Sequence, residues 1–212
     1  MAITSYSELQ TAVGSWLNRS DLSTNIPDFI TLAEASFNRV LRTRNQITRA
    51  TSSVNAQYVA LPTDLLELFN IQVNTDPIKR LEQVSLDKAD DLRSSLSSSG
   101  TPSYFAITGS NIELIPTPDD TKTIEIIYYA KITALTSTNT TNWLLDSYPD
   151  IYLYGTLVQA EPFLMNDERL GTWGTLLSKA QEELRVSDER SQTEGGTLVM
   201  RAVNNLDYGD WK

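Results

Sequence analysis

A chain of 212 residues with 17 basic and 27 acidic side chains, a net charge of −10 and neither histidine nor cysteine lacks most of the usual enzymatic repertoire. Without cysteine there is no disulfide framework, thiolate nucleophile or Cys-based metal site, and without histidine the commonest general base and metal ligand are both missing. The acidic balance argues against a nonspecific grip on nucleic acid, which needs clustered Lys and Arg, and no apolar run approaches the roughly 20 residues that span a bilayer.

The N-terminus, MAITSYSELQ, has neither the basic nor the apolar region of a signal peptide. The chain is therefore expected to stay in the cytosol until it is built into something else. Its length suits one generous domain or two small ones, at roughly 100–200 residues per domain.

The first stretch reads as two helices. Ser5-Tyr6-Ser7-Glu8 has the spacing of a capping box, in which Ser5 and Glu8 would satisfy each other's backbone N–H groups. Leu9, Val13, Trp16 and Leu17 follow at helical spacing, and Asn18 to Ser23 is turn-like. A second helix starts near Asn25-Ile26-Pro27, where proline's missing N–H does no harm. Its apolar face is Phe29, Ile30, Ala33, Phe37, Val40 and Leu41. Two short amphipathic helices need a further layer to bury their stripes.

From about Gln46 to Lys131 strand signals take over. Tyr58–Leu61 and the alternating Phe69–Val73 read as strands. Ser103–Thr108 and Asn111–Ile115 flank the hairpin-compatible Gly109-Ser110, and Thr123–Ala130 is the strongest strand. Ser85–Leu92 reads as a short helix, and the Ser-rich Ser94–Gly100 as a flexible loop. The middle is expected to be a small, mainly antiparallel β-domain.

After the polar linker Thr136–Asn142 helices return. Ile151, Tyr154, Leu157, Val158 and Leu164 lie in a segment apolar nearly all round, the mark of a helix buried on several sides. Pro162 should end or kink it. The final helix carries Leu170, Trp173, Leu177, Ala180 and Leu184, a 3-4-3-4 seam opposite a charged face. Gly195-Gly196 breaks the pattern, and the rest, ending in Tyr208 and Trp211, reads as an extended arm.

The expected fold class is therefore α+β. Residues 1–45 and 143–192 would form one discontinuous helical bundle, 46–142 an inserted β-domain, and 193–212 an extended C-terminal arm. The bundle core would include Phe37, Trp143, Tyr154, Leu157, Trp173 and Leu177.

No phosphate-cradle or nucleophile-elbow motif is present. Asp119-Asp120, after Pro118, fits hairpin-turn chemistry better than a metal site, and Asp87, Asp90 and Asp91 fit a solvated helix face. Glu34 and Glu161 sit beside apolar stripes, and a carboxylate-based hydrolase of cell-wall glycan would use two such groups; nothing places a second carboxylate at the separation required. The expectation is no catalytic residue, no metal and no cofactor.

Arg39, Arg42, Arg44 and Arg49 stand in a stretch, between Ala35 and Thr63, without an acidic residue. They read either as a solvated helix end, favoured by the helix dipole, or as an electrostatic docking surface. Tyr208 and Trp211 lie in a polar, Gly-punctuated tail. Since Tyr and Trp are interface anchors, the arm is expected to order on a partner.

Several segments together resemble a known family. Asn142-Trp143-Leu144-Leu145-Asp146-Ser147-Tyr148-Pro149-Asp150-Ile151-Tyr152-Leu153-Tyr154-Gly155, with Ala160–Leu164, Asp167–Leu170 and Trp173, resembles the helical C-terminal part of tailed-phage head-to-tail adaptor, or head-completion, proteins related to podophage tail tubular protein A. Leu61–Glu67, Gly100–Tyr104, and the pairing of Ile112–Pro116 with Ile124–Tyr129 match the same group, so the resemblance runs from about Ser5 to Ser191.

It implies a non-enzymatic virion protein at the neck, assembled in the host cytoplasm. As a homo-oligomeric ring of about twelve copies it would sit under the portal protein and carry a nozzle or tail-tube protein. DNA would pass through its channel without sequence-specific binding, and no membrane is involved. Arg39, Arg42, Arg44, Arg49, Tyr208 and Trp211 would then face the portal or neighbouring subunits. The competing readings are the glycan hydrolase, and a host-binding module acting through the β-domain.

Overall fold

The computed structural model describes residues 3–164 and 170–193. Helix α1 (Tyr6–Leu17) starts where Ser5 Oγ accepts the Glu8 N–H. The Glu8 carboxylate does not close a box with Ser5. It takes the N–H and Oγ of Thr4, at 2.8 and 2.7 Å, so the reciprocal half of the cap moves one residue upstream. Asn18 ends α1 in the left-handed conformation, φ 53°, which Asn tolerates better than most residues. α2 (Ile26–Val40) begins with Pro27 in its first turn, as proline's geometry favours.

Leu9, Ala12, Val13 and Leu17 of α1 and Phe29, Ile30, Ala33 and Phe37 of α2 are buried. Two expected stripe members are not. Trp16 is about half exposed, its ring edge-on to Tyr154 at 5.9 Å. Val40 is 61% exposed because α2's buried face is set by 29, 33, 37 and 41, a row of four-residue steps that leaves position 40 to one side.

The chain then makes one 3₁₀ turn at Arg44–Gln46 and enters eight strands. They are β1 (Ile47–Val54), β2 (Tyr58–Ala60), β3 (Leu65–Val73), β4 (Lys79–Arg80), β5 (Glu82–Gln83), β6 (Tyr104–Thr108), β7 (Asn111–Ile115) and β8 (Lys122–Ala130). One sheet has the order β1-β8-β3-β4, the other β2-β7-β6-β5. All pairings are antiparallel except β5 with β6.

Central β8 alternates as a half-buried strand should. Ile124, Ile126, Tyr128 and Ala130 turn inward beside Ile71 and Val73 of β3, and meet Phe105, Ile112 and Leu114 of the second sheet. Helix α3 (Leu86–Ser95), capped by Ser85 Oγ, covers that sheet's other face with Ala89 against Ala106 and Ile115. The β-unit is thus sheet, sheet and helix in three layers. The Ser-rich segment is more ordered than its composition implied: Ser94 and Ser95 belong to α3, and Gly100 N–H donates to Thr117 O at 2.8 Å.

Three helices complete the described residues: α4 (Trp143–Ser147), α5 (Pro149–Leu164) and α6 (Leu170–Thr193). α5 is buried almost all round, with Ile151, Tyr152, Leu153, Gly155, Thr156, Leu157, Ala160 and Glu161 inside. Pro162 lies within its last described turn and the helix reaches Leu164. Trp173, Ala180 and Leu184 of α6 are buried, while Leu177 is partly buried against the same core.

Phe37 and Leu157 are buried in this core, and Trp143 and Tyr154 pack against it half-buried. At its centre the Phe37 ring meets Tyr152 edge-on, centroids 5.4 Å apart. It also lies so close over Gly155 that a Cβ there would stand 2.7 Å from Phe37 Cε1. Ile132 and Leu135, which follow β8, pack into the helical core and not into the sheets. The composition and alternation of α+β expected from the sequence hold in the structure.

Candidate functional site

The sequence singled out side chains able to act on something else. The fold pairs most of them with other residues of the chain, and it sets Arg42 and Arg44 at the neck between the β-unit and the helices, where residues 41–47 and 130–142 cross.

Arg42 donates through Nε to Glu67 of β3 at 3.0 Å, and through NH1 to the carbonyls of Asn38 and Leu41 at 2.9 and 2.7 Å. Its fork closes the end of α2 and ties it to the sheet. Arg44 gives its backbone N–H to Asp188 of α6 at 3.0 Å, and its Nε lies 4.0 Å from the same carboxylate. Arg49 reaches across to Glu125 of β8 at 2.8 Å. Three of the four arginines are therefore paired with acids supplied by distant segments, and the apparent positive zone is largely neutralised in three dimensions. Arg39 differs: it is exposed in the last turn of α2 and makes no ion pair among the described residues. Tyr208 and Trp211 lie outside the described residues.

Polar side chains that the sequence did not flag complete the neck. The buried Gln46 accepts the Thr43 N–H at 3.0 Å and donates to Ala130 O at 3.4 Å, so it joins both crossings. Asn38 Oδ1 accepts the Ile132 N–H at 2.9 Å. Asp64 takes the Tyr128 hydroxyl at 3.0 Å, and its carbonyl takes the Lys131 N–H at 2.7 Å. Gln and Asn have no periodic signature when used this way. Asn142 did have one, being followed by the apolar run Trp143-Leu144-Leu145, and its Oδ1 caps α4 by accepting the Leu145 N–H at 2.9 Å.

Glu34 is the centre of a second network and is 5% exposed. Its Oε1 accepts the Leu135 N–H at 2.8 Å and the Tyr152 hydroxyl at 3.1 Å; that hydroxyl in turn accepts from Asn142 Nδ2 at 2.7 Å, which also donates to Thr133 O at 2.7 Å. Burial pushes the Glu34 carboxyl above its ordinary range, and the two donated hydrogen bonds offset part of that. Burial, and then the charge of Glu34, also push the Tyr152 phenol up. This carboxylate is closed into the helical core and spent on two donors. Glu161 is likewise buried.

The remaining candidate acids do local work. Lys122 lies 3.2 Å from Asp119 and 2.5 Å from Asp120, and the hydrogen bond from Lys122 holds the Asp119 carboxyl below its usual range. On α3 Asp90 pairs with Arg93, which also lies 3.1 Å from the buried Glu113 of β7, itself bonded by Gln57 at 2.8 Å. Among the described residues no group of three or more Asp and Glu side chains is arranged to hold a metal ion, and no helix is long and apolar enough to cross a membrane.

The charged and polar groups of the neck are thus spent within the fold, joining the β-unit to the helices. The chain belongs to the SU10 adaptor protein family, whose model matches residues 4–201. That agrees with the resemblance read from the Leu61–Glu67, Ile112–Tyr129 and Asn142–Trp173 segments, and makes this chain a phage adaptor with a structural role. No curated protein matches it.

Proposed function

We propose that this adaptor acts as a head-to-tail connector: about twelve copies form a ring under the portal at the virion neck, and a nozzle or tail-tube protein docks beneath it. The observation that carries this reading is the family match across residues 4–201. In the proposed division of labour, residues 1–45 and 143–192 form the ring-building helical unit and residues 46–142 the inserted unit. The arm, residues 193–212, engages the portal or a neighbouring copy through Tyr208 and Trp211.

Two features support that assignment. The neck bonds from Arg42, Arg44, Gln46 and Asn38 tie the helices to the β-unit, which suits a part that fixes the distance between portal and tail. The net charge of −10 suits a channel wall past which DNA slides without specific binding. Catalysis has no role in this reading.

The test is to mix the purified chain with its cognate portal and image the product by electron microscopy. A second ring of about a dozen adaptors on the portal is the expected result. A portal that neither binds the chain nor recruits multiple copies overturns the reading, and cell-wall degradation abolished by Glu34→Gln would favour the hydrolase instead.

A further inference from the structure

β1 holds unspent hydrogen-bonding capacity. It pairs on one side only, with β8, in unbroken register from Ile47↔Tyr129 to Val54↔Lys122, and the sheet order leaves its other side at the edge. Alternate residues of such a strand aim their backbone groups to opposite sides, so about half of those in β1 point away from β8. The usual guards of an edge are missing. Ile47–Val54 contains no proline, lysine or bulge, and its single charge, Arg49, is tied to Glu125.

The second observation is where α6 ends. Asp188 accepts the N–H of Arg44 at 3.0 Å, and Arg44 precedes the first residue of β1 by only three positions. Thr193, the last described residue of α6 and five residues past Asp188, is therefore about 7.5 Å along the helix from its contact with the segment that leads into β1, at the helical rise of 1.5 Å per residue. The sequence after Thr193 reads Glu194-Gly195-Gly196 and then Thr197-Leu198-Val199-Met200-Arg201-Ala202-Val203, a composition rich in residues that favour strands. Four extended residues span up to about 13 Å, which sets the reach of Thr197 from the helix end.

We propose that the chain, before assembly, stows residues 197–203 of its own C-terminal segment along the open edge of β1 as an added strand. Running forward from the Ile47 end, this segment lies parallel to β1. A tethered segment acts at millimolar effective concentration, so it outcompetes other chains for the edge and keeps free copies from pairing edge to edge. Tyr208 and Trp211 lie beyond the stowed stretch, available to start an exchange onto a partner.

The inference does not rest on the connector reading, because it is tested on the isolated full-length chain without portal. Hydrogen–deuterium exchange is followed at the β1 amides that do not donate to β8, in the natural chain and in the double variant Val199→Pro/Arg201→Pro. The prolines remove strand donors outside every described element. A second comparison is a chain stopped after Thr193.

In the natural chain these amides exchange at least about tenfold more slowly than in either variant, independently of protein concentration, while α5 amides exchange alike in all three. Equal exchange at β1 in all three chains overturns the proposal. So does protection that appears only as concentration and dimer content rise, since the edge would then be filled by a second copy.

Discussion

Replacing Glu34 separates two roles that a buried carboxylate can have. In Glu34→Ala the Leu135 N–H and the Tyr152 hydroxyl, both now bonded to Oε1, lose their acceptor inside the helical core. Each buried donor left without a partner costs about 1–3 kcal/mol, so the variant should lose about 2–6 kcal/mol, a large share of the roughly 5–15 kcal/mol typical of a folded domain. Glu34→Gln keeps an oxygen at Oε1 and removes the charge that burial disfavours, so it should cost less than about 1.5 kcal/mol.

The pH dependence carries a fixed sign. Because burial raises the folded-state pKa above the ordinary value of 4.5, the folded protein holds this proton more tightly than the unfolded chain. Its contribution is full below the unfolded pKa and is lost as pH rises through the folded one. Urea denaturation at a series of pH values should therefore show the wild type gaining on Glu34→Gln as pH falls toward the carboxylate range. A Glu34→Ala loss no larger than that of Glu34→Gln, or a difference between wild type and Gln that does not move with pH, refutes the reasoning.

Gly155→Ala should cost about 1–3 kcal/mol by overpacking, since its Cβ would press into the Phe37 ring. Combining it with Phe37→Leu should cost less than the sum of the two single changes, a coupling that a double-mutant cycle in urea reads directly. Asp188→Ala removes the acceptor of the Arg44 N–H and should lower stability by about 1–3 kcal/mol. Asp188→Asn, which keeps an acceptor oxygen, should lose less in the same thermal or urea melt. Arg39→Glu should leave stability within about 0.5 kcal/mol yet reduce co-sedimentation with portal, if that side chain faces a partner. Tyr208→Ala/Trp211→Ala should weaken the same co-assembly with an unchanged melting curve.

What the sequence made readable was the set of signals that are local and periodic. The stripe of α2 apart from Val40, the seam of α6, the alternation of β8, the Gly109-Ser110 turn and the Ser85 cap each rest on residues within one element and appear where their patterns put them. β1 was missed because Ile47-Thr48-Arg49-Ala50-Thr51-Ser52-Ser53-Val54 has almost no apolar alternation; it is an edge strand whose exposed face is polar, and pairing with β8 decides its conformation. The neck was invisible for a different reason. Gln46, Asn38 and Glu34 act through carbonyl and N–H groups 84, 94 and 101 positions away, and no spacing rule links residues so far apart.

The arginines show how the same limit changes a functional reading. Along the chain, Arg39 to Arg49 is a run of positive charge without acids. In the folded protein Glu67 comes to Arg42 from 25 positions away, Glu125 to Arg49 from 76, and Asp188 to Arg44 from 144. These are modest bonds where exposed, worth about 0–1 kcal/mol each as surface pairs. Their effect is geometric more than energetic: Arg42 and Arg44 join the neck to β3 and α6, while Arg49 links the paired strands β1 and β8 of one sheet.

A positive patch built to grip DNA would keep its guanidinium groups facing solvent, with donors unspent. Here three of the four are committed to acids although Arg44 and Arg49 are exposed, and Arg39, which has no ion pair among the described residues, stands in the last turn of α2, where the helix dipole already favours a cation. Arg39 is therefore the member of this group whose charge no acid meets among the described residues, and a charge-reversing substitution there is the one that changes the local field without breaking a bond of the fold.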